Sequence, residues 1–191
     1  MSHFLEHSAG VIPFRSEADG SLSYLILHSA TVRNPRARWE FPKGGMEPGE
    51  TPRQTAAREF EEETSLQAWA FREGFERALS YTYVRRGRKV LKTVTYFIVE
   101  VHDSSALKCS HEHAEDPHGY WHKWGPFAEI GNTLYHAKIR QLFAEADAWI
   151  RGVELPIEPP GETETSNDHF AIAPPLIDPE TTPRLGESQQ P

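Results

Sequence analysis

The stretch GGMEPGETPRQTAAREFEEETSL, residues 44–66, carries Glu59, Glu61, Glu62 and Glu63 within five positions. It reads as a glycine-rich loop running into a helix at about 52–64. Thr51 is a good N-cap, and Pro52 suits the first helical position. Gln54, three residues after the threonine, completes a capping box. With the phase so set, Ala56, Ala57 and Phe60 supply an apolar side. Glu59, Glu62 and Glu63 stand at i, i+3 and i+4 on an adjacent face, and Glu61 points elsewhere, into solvent. Like charges at that spacing repel by about 0.2–0.5 kcal/mol per pair. A solvated helix face tolerates that cost, so the acidic cluster alone decides nothing.

The loop in front of the helix adds the missing context. Gly44, Gly45 and Gly49, with Pro42 and Pro48, give a tight turn whose backbone can approach an ion or a ligand. A tight loop entering a glutamate-lined helix suits a hard cation. Magnesium takes oxygen ligands, keeps several waters and bridges to substrate phosphates. Its charge offsets the repulsion among the glutamates. Arg58 follows Glu50 by eight residues, close enough in a folded loop to pair with it and hold loop against helix.

The pattern is glycine, five residues, glutamate, seven residues, Arg-Glu, an apolar residue, one residue, Glu-Glu, one residue, glycine, an apolar residue. It resembles the Nudix box, here as Gly44, Glu50, Arg58, Glu59, Phe60, Glu62, Glu63 and Leu66. Six of these positions demand one residue type, so chance agreement at a given start is on the order of one in ten million. Ser65 stands where the box has glycine, at the helix end, and bears no metal-binding group. The resemblance implies an α/β fold, a Nudix-type α/β/α sandwich with a mixed β-sheet. It implies hydrolysis of a phosphoanhydride in a nucleoside polyphosphate, with magnesium, or manganese as an alternative. It also implies roles: Glu59 and Glu63 as metal ligands, Glu62 as a water-mediated ligand or base, the Lys43 carbonyl as a further ligand, and Arg58 beside them.

Three shorter motifs resemble the asymmetrical diadenosine tetraphosphate hydrolases within that family. They are EGFERALSY (73–81), KTVTYF (92–97) and SHEH (110–113), in that order. The resemblance implies Lys43, Lys92 and Arg38 on the phosphate chain, Tyr81 stacked on adenine, and Glu112 as a further ligand or base. The loop departs from that branch in lacking histidine at Gly45, and residues 114–120 look like an insertion. WEFPKGG is similar to RNA 5′ pyrophosphohydrolases, and the Gly-Gly-Met loop to diphosphoinositol polyphosphate hydrolases, which keeps both as alternatives. The basic run RRGRK (85–89) would suit RNA phosphates. A nucleotide-binding Nudix-like regulator is the alternative outside the enzymes. Such proteins commonly lose box carboxylates, and none of the three is lost here. His111, His113, His118 and His122 fit no compact zinc spacing, and Cys109 is the single cysteine, so no zinc is expected.

Working outward, residues 9–15 and 23–28 read as strands around the polar turn SEADGS. Residues 68–72, 79–85 and 90–101 read as further strands, the last two as a hairpin, and 121–124 as a short one. Residues 103–120 read as a polar loop. A helix at about 133–151 puts Ile139, Leu142, Phe143, Ala146, Trp149 and Ile150 on one face. The 191 residues therefore suit one domain, 1–152, plus a tail, 153–191. Residues 154–191 hold eight of the 28 acids but one of the 20 bases, so nearly all of the net charge of −8 belongs to the tail and the domain is nearly neutral. That segment also has eight of the 15 prolines, a composition that favours disorder. Within it, FAIAPPLI (170–177) is apolar enough to dock. No apolar run reaches membrane-span length, the start lacks a signal-peptide layout, and a lone cysteine suits reducing surroundings; these features predict a cytoplasmic location.

Overall fold

The computed structural model describes residues 4–110 and 112–153. The acidic segment with FAIAPPLI lies outside the described residues, as does His111. The described chain runs β1 (Phe4–Ser16), β2 (Leu22–His28), a 3-10 turn (Pro35–Ala37), β3 (Trp39–Glu40), β4 (Lys43–Gly45), α1 (Pro52–Thr64), β5 (Trp69–Arg85), β6 (Arg88–Val101), β7 (His122–Gly125), α2 (Phe127–Thr133) and α3 (Ala137–Arg151). Among these helices none is long and apolar enough to cross a membrane.

The strands form one sheet in the order β3-β2-β1-β6-β5, with β4 added on β1 and β7 on β2. β1 and β6 run parallel, whereas the other pairs are antiparallel, so the sheet is mixed. Period-2 alternation then sends apolar side chains to both faces. Ala9, Val11, Leu25, Leu27, Phe97, Val99 and Val101 meet Ala56 and Phe60 of α1. Ile12, Phe14, Tyr24, Ile26, Val94, Tyr96 and Ile98 meet Leu142, Phe143 and Ala146 of α3 and Ile130 of α2. The result is the α/β/α sandwich that the box implies.

Two features of β1 place the functional loop. Its one edge pairs with β4 through Ser8–Gly10 and then with β2 through Phe14–Ser16. The sheet therefore forks, and the Val11 N–H donates to the Pro42 carbonyl across the fork at 3.0 Å. Gly10 sits at that crossing because a Cβ there would lie 2.4 Å from the Pro42 oxygen.

The structure changes three expectations. The segments expected at 68–72 and 79–85 merge into one strand, β5, which starts at Trp69 and whose register slips between Arg72 and Glu76. β5 advances four residues there while β6 advances one; Gly74, at φ +96°, lies within this excess, and Trp149 of α3 covers the kink. The last helix starts at Ala137, and residues 127–133 form a separate helix, α2. With seven residues, one of them buried and no side-chain cap, α2 gives little periodic signal. Glu61, expected in solvent, is half-buried, and Glu62 is the exposed member of the cluster.

Candidate active site

The helix that carries the glutamates is anchored at both ends. At its start the Gln54 N–H donates to the Thr51 hydroxyl and the Thr51 N–H to the Gln54 side-chain oxygen, as a capping box requires. At its end Ser65 adopts φ 61°, ψ 11°, and its N–H donates to the Glu61 carbonyl at 2.7 Å. The serine takes the left-handed conformation that the box glycine would take.

Arg58 is the hub between loop and helix. Its Nε donates to Glu50 Oε1 at 2.7 Å and its Nη2 to Glu50 Oε2 at 3.0 Å. Nη2 also reaches the Gly45 carbonyl at 2.9 Å, while Nη1 donates to Glu59 at 2.8 Å and Glu62 at 3.2 Å. Glu50 in turn accepts from the Thr55 hydroxyl and the Glu47 N–H. These donors, Arg58 first, pull its carboxyl down to about 2.

Glu59 and Glu63 lie deeper. A Cβ on Gly44 would stand 1.9 Å from the Glu59 carboxyl carbon, so the bare glycine backbone makes the room that Glu59 occupies. Glu63 is buried and accepts the Lys43 N–H at 3.0 Å. Burial raises both carboxyls, Glu63 to about 9 even against the charge of Lys43. Glu112 adds to both shifts, which puts its charge beside them. The loop carrying Glu112 is laid along the end of β2: the Ala30 N–H donates to the Glu112 carbonyl, and Ser29 bridges to His113. Residues 114–120 close on themselves around Asp116, which accepts from the His118 and Tyr120 N–H groups.

On the other face of the sheet the half-buried polar side chains of Lys43, Tyr81 and Lys92 cluster, and this cluster is the candidate cleft. Tyr81 and Lys92 are cross-strand partners on β5 and β6, and Glu6 of β1 pairs with Lys92. The Lys43 side chain enters the same cleft and meets Glu40 at 2.7 Å. Burial opposes charge on Lys43, but Glu40, Tyr96 and Glu63 outweigh it and hold its pKa above the usual value. Burial lowers Lys92, helped by the neighbouring Lys43 charge, and lifts Tyr81 to about 12. Among the described residues Lys92 has no ion-pair partner. Glu6 is taken by the Tyr83 hydroxyl at 2.6 Å and by Arg85.

The residues singled out by sequence thus fall into two groups that meet at Lys43. Its backbone touches the glutamate face, and its side chain the Tyr81–Lys92 cleft. Arg38 joins neither group; its Nε holds the Val32 carbonyl at 2.9 Å. Two contacts escaped sequence reasoning. Glu40 is tied to Lys43, and buried His113 places Nε2 4.0 Å from Glu63 and Nδ1 2.8 Å from the Ser110 hydroxyl. The first depends on how two short strands join the sheet and the second on an irregular loop, and neither follows a sequence period.

A family model, the NUDIX domain, matches residues 5–146. The chain belongs to the Nudix family. Among Nudix relatives it is 42% identical over 114 residues to the asymmetrical bis(5′-nucleosyl)-tetraphosphatase of Rattus norvegicus, covering 56% of this chain and 73% of that protein. The protein of the same name from Caenorhabditis elegans is 26% identical over 147 residues, covering 76% and 96%. The crystal structure of a C. elegans Ap4A hydrolase binary complex superposes with a TM-score of 0.64 at 26% identity, over 77% of this chain and 98% of that one. This Nudix chain is accordingly a pyrophosphohydrolase acting on nucleoside polyphosphates, and enzymes of the family generally use divalent metal ions.

The Nudix glutamates fit such an ion. Among the described residues no three carboxylate, thiol or imidazole side chains already converge on one point. Arg58 holds Glu59 and Glu62 aside. The donors are nevertheless hard oxygens, and burial raises the Glu63 carboxyl, so a cation bound there would offset the cost of its ionised form.

Proposed function

We propose that this enzyme hydrolyses diadenosine tetraphosphate to ATP and AMP, with magnesium as its ion. The observation that carries this reading is the meeting, at Lys43, of the glutamate face of α1 with the cleft holding Tyr81 and Lys92. A polyphosphate needs cations along its length and carboxylates at the bond to be cut, and the two groups supply these side by side. The relatives named as asymmetrical tetraphosphatases support the same substrate.

In this reading Glu59, Glu63 and the Lys43 carbonyl hold the ion. Glu62 assists through water or takes a proton, and Glu112 supplies a further carboxylate. When bound, magnesium polarises phosphate oxygens and acidifies water. Arg58 positions Glu59 and Glu62 and ties the loop to the helix. Lys92, half-buried and without an ion-pair partner among the described residues, receives a phosphate. Tyr81 holds adenine by stacking. Gripping one nucleotide end fixes which phosphorus lies beside the glutamates, so unlike products follow from position rather than from bond chemistry.

The test is a turnover screen over diadenosine tetraphosphate, triphosphorylated RNA, diphosphoinositol polyphosphates and ADP-ribose, with products identified in heavy-oxygen water. ATP and AMP are expected. Two molecules of ADP would overturn the register. A preference for RNA ends would overturn the substrate. Nucleotide bound but uncleaved in the presence of magnesium would make the chain a binding protein.

A further inference from the structure

The Glu40–Lys43 pair is built into the sheet. Glu40 is fixed by β3 pairing with Leu27, and Lys43 by β4 pairing with Gly10. Between them Phe41 is buried in the core, and the Pro42 carbonyl is taken by Val11. The carboxylate and the ammonium meet at 2.7 Å with side chains 25% and 18% exposed. With both side chains mostly covered, the pair is screened less by water than a free surface pair. It also occupies an ammonium that faces the cleft beside Lys92, Tyr81 and Tyr96.

We infer that Glu40 is a specificity-determining residue: it competes with the substrate's phosphates for Lys43, so that binding is an exchange of one anion for another. The inference rests on the cleft assignment made above. In the resting cleft Lys43, Lys92 and Arg85 face Glu40 and Glu6, and Lys92 alone of the three cations lacks an ion-pair partner among the described residues. A phosphate reaching Lys92 meets a ready cation. One reaching Lys43 must displace Glu40 or lie against it. Glu40 therefore penalises ligands whose phosphate charge is too small to compensate, and this favours long, highly charged chains. Removing it frees one cation and removes one repulsive charge within a few ångströms of the phosphate.

The test is calorimetric titration of inorganic tripolyphosphate in EDTA, which keeps metal-mediated binding out. Wild type, Glu40→Gln, Lys43→Met, Glu40→Gln/Lys43→Met and Lys92→Met are compared, with adenosine as the uncharged control. Glu40→Gln should bind tripolyphosphate about tenfold more tightly, with adenosine unchanged. The gain should vanish when Glu40→Gln is made in the Lys43→Met background. That double variant removes both members of the pair, so neither is left as an unpaired charge, and it stays folded even where Glu40→Gln alone is weakened. In Glu40→Gln, tripolyphosphate should raise the melting temperature more than in wild type. Lys92→Met weakening binding while Glu40→Gln leaves it unchanged or weaker overturns the role of Glu40 alone. A gain that persists without Lys43 overturns it too. Equal binding by wild type and Lys92→Met overturns the cleft itself, and the proposed phosphate contacts with it.

Discussion

The Lys43 backbone N–H donates to Glu63 Oε2 at 3.0 Å, joining β4 to the last turn of α1 across 20 residues of sequence. This bond sets the depth of Glu63, and burial then lifts its carboxyl to about 9 in the metal-free protein. A Glu63→Gln substitution keeps the shape and the acceptor oxygen for Lys43 but removes the charge. Magnesium affinity should fall by at least about 100-fold, more than loss of a residue behind the ligands costs. The metal-free melting temperature should not fall, because burial disfavours the charge that is removed and Lys43 keeps its pairing with Glu40. Titration of magnesium or manganese by calorimetry, beside thermal melts in EDTA, measures both. Unchanged ion affinity would remove Glu63 from the ligand set.

Gly44 provides a steric test of the same site. A methyl group there meets the Glu59 carboxyl at 1.9–2.2 Å, too close for adjustment without moving the side chain. Gly44→Ala should therefore displace Glu59 by about 1 Å or more and lower kcat by about 100-fold. The strand pairing of Gly44 with Ala9 should survive, and with it the fold. Activity measured against circular dichroism and melting temperature separates the two effects. Full activity in Gly44→Ala would show that Glu59 tolerates another position.

The elements with local rules were legible in the sequence. α1 could be phased from Thr51, Pro52 and Gln54 because capping is a matter of spacing along the chain. The apolar face of α3 could be read from Ile139 to Ile150 because burial follows the helical period. The fork of β1 could not, since the choice between β4 and β2 as neighbours is made by Gly10 against Pro42. The contacts of Glu40 with Lys43 and of His113 with Glu63 were hidden for the same reason: each is set by the fold. Continuity of β5 was hidden because its segment 73–78 is polar, with Phe75 as its buried residue.

Ser65 holds φ 61° where the Nudix box has glycine. A side chain in this left-handed conformation costs roughly 1–2 kcal/mol, partly offset by the smaller entropy lost relative to glycine. Ser65→Gly should therefore stabilise the protein by about 0.5–1 kcal/mol. No glutamate should move, so kcat should stay within about twofold. Urea unfolding with unchanged m-value gives the first quantity, and steady-state kinetics the second. A destabilised Ser65→Gly would mean that the serine contributes something beyond the backbone turn.

Glu50 gives the pH prediction. Its carboxyl lies near 2 in the folded protein, held down first by Arg58, then by Thr55 and the Glu47 N–H, against 4.5 for a free glutamate. A depressed carboxylate stabilises the folded state at pH values above the unfolded pKa, and that contribution is lost as pH falls through the folded one. The stability carried by Glu50 should be complete above about pH 5 and decline from about 4.5 towards 2. Asp19, Glu73, Asp103 and Asp116 are also lowered and titrate over a similar range, so the wild-type curve alone does not isolate the effect. The difference between wild type and Glu50→Gln does. Urea midpoints should differ most at pH 6–7, with the variant weaker, and converge as pH falls below 4.5. A difference that stays constant down to pH 2 would place the worth of Glu50 in packing rather than in its charge-assisted bonds to Arg58.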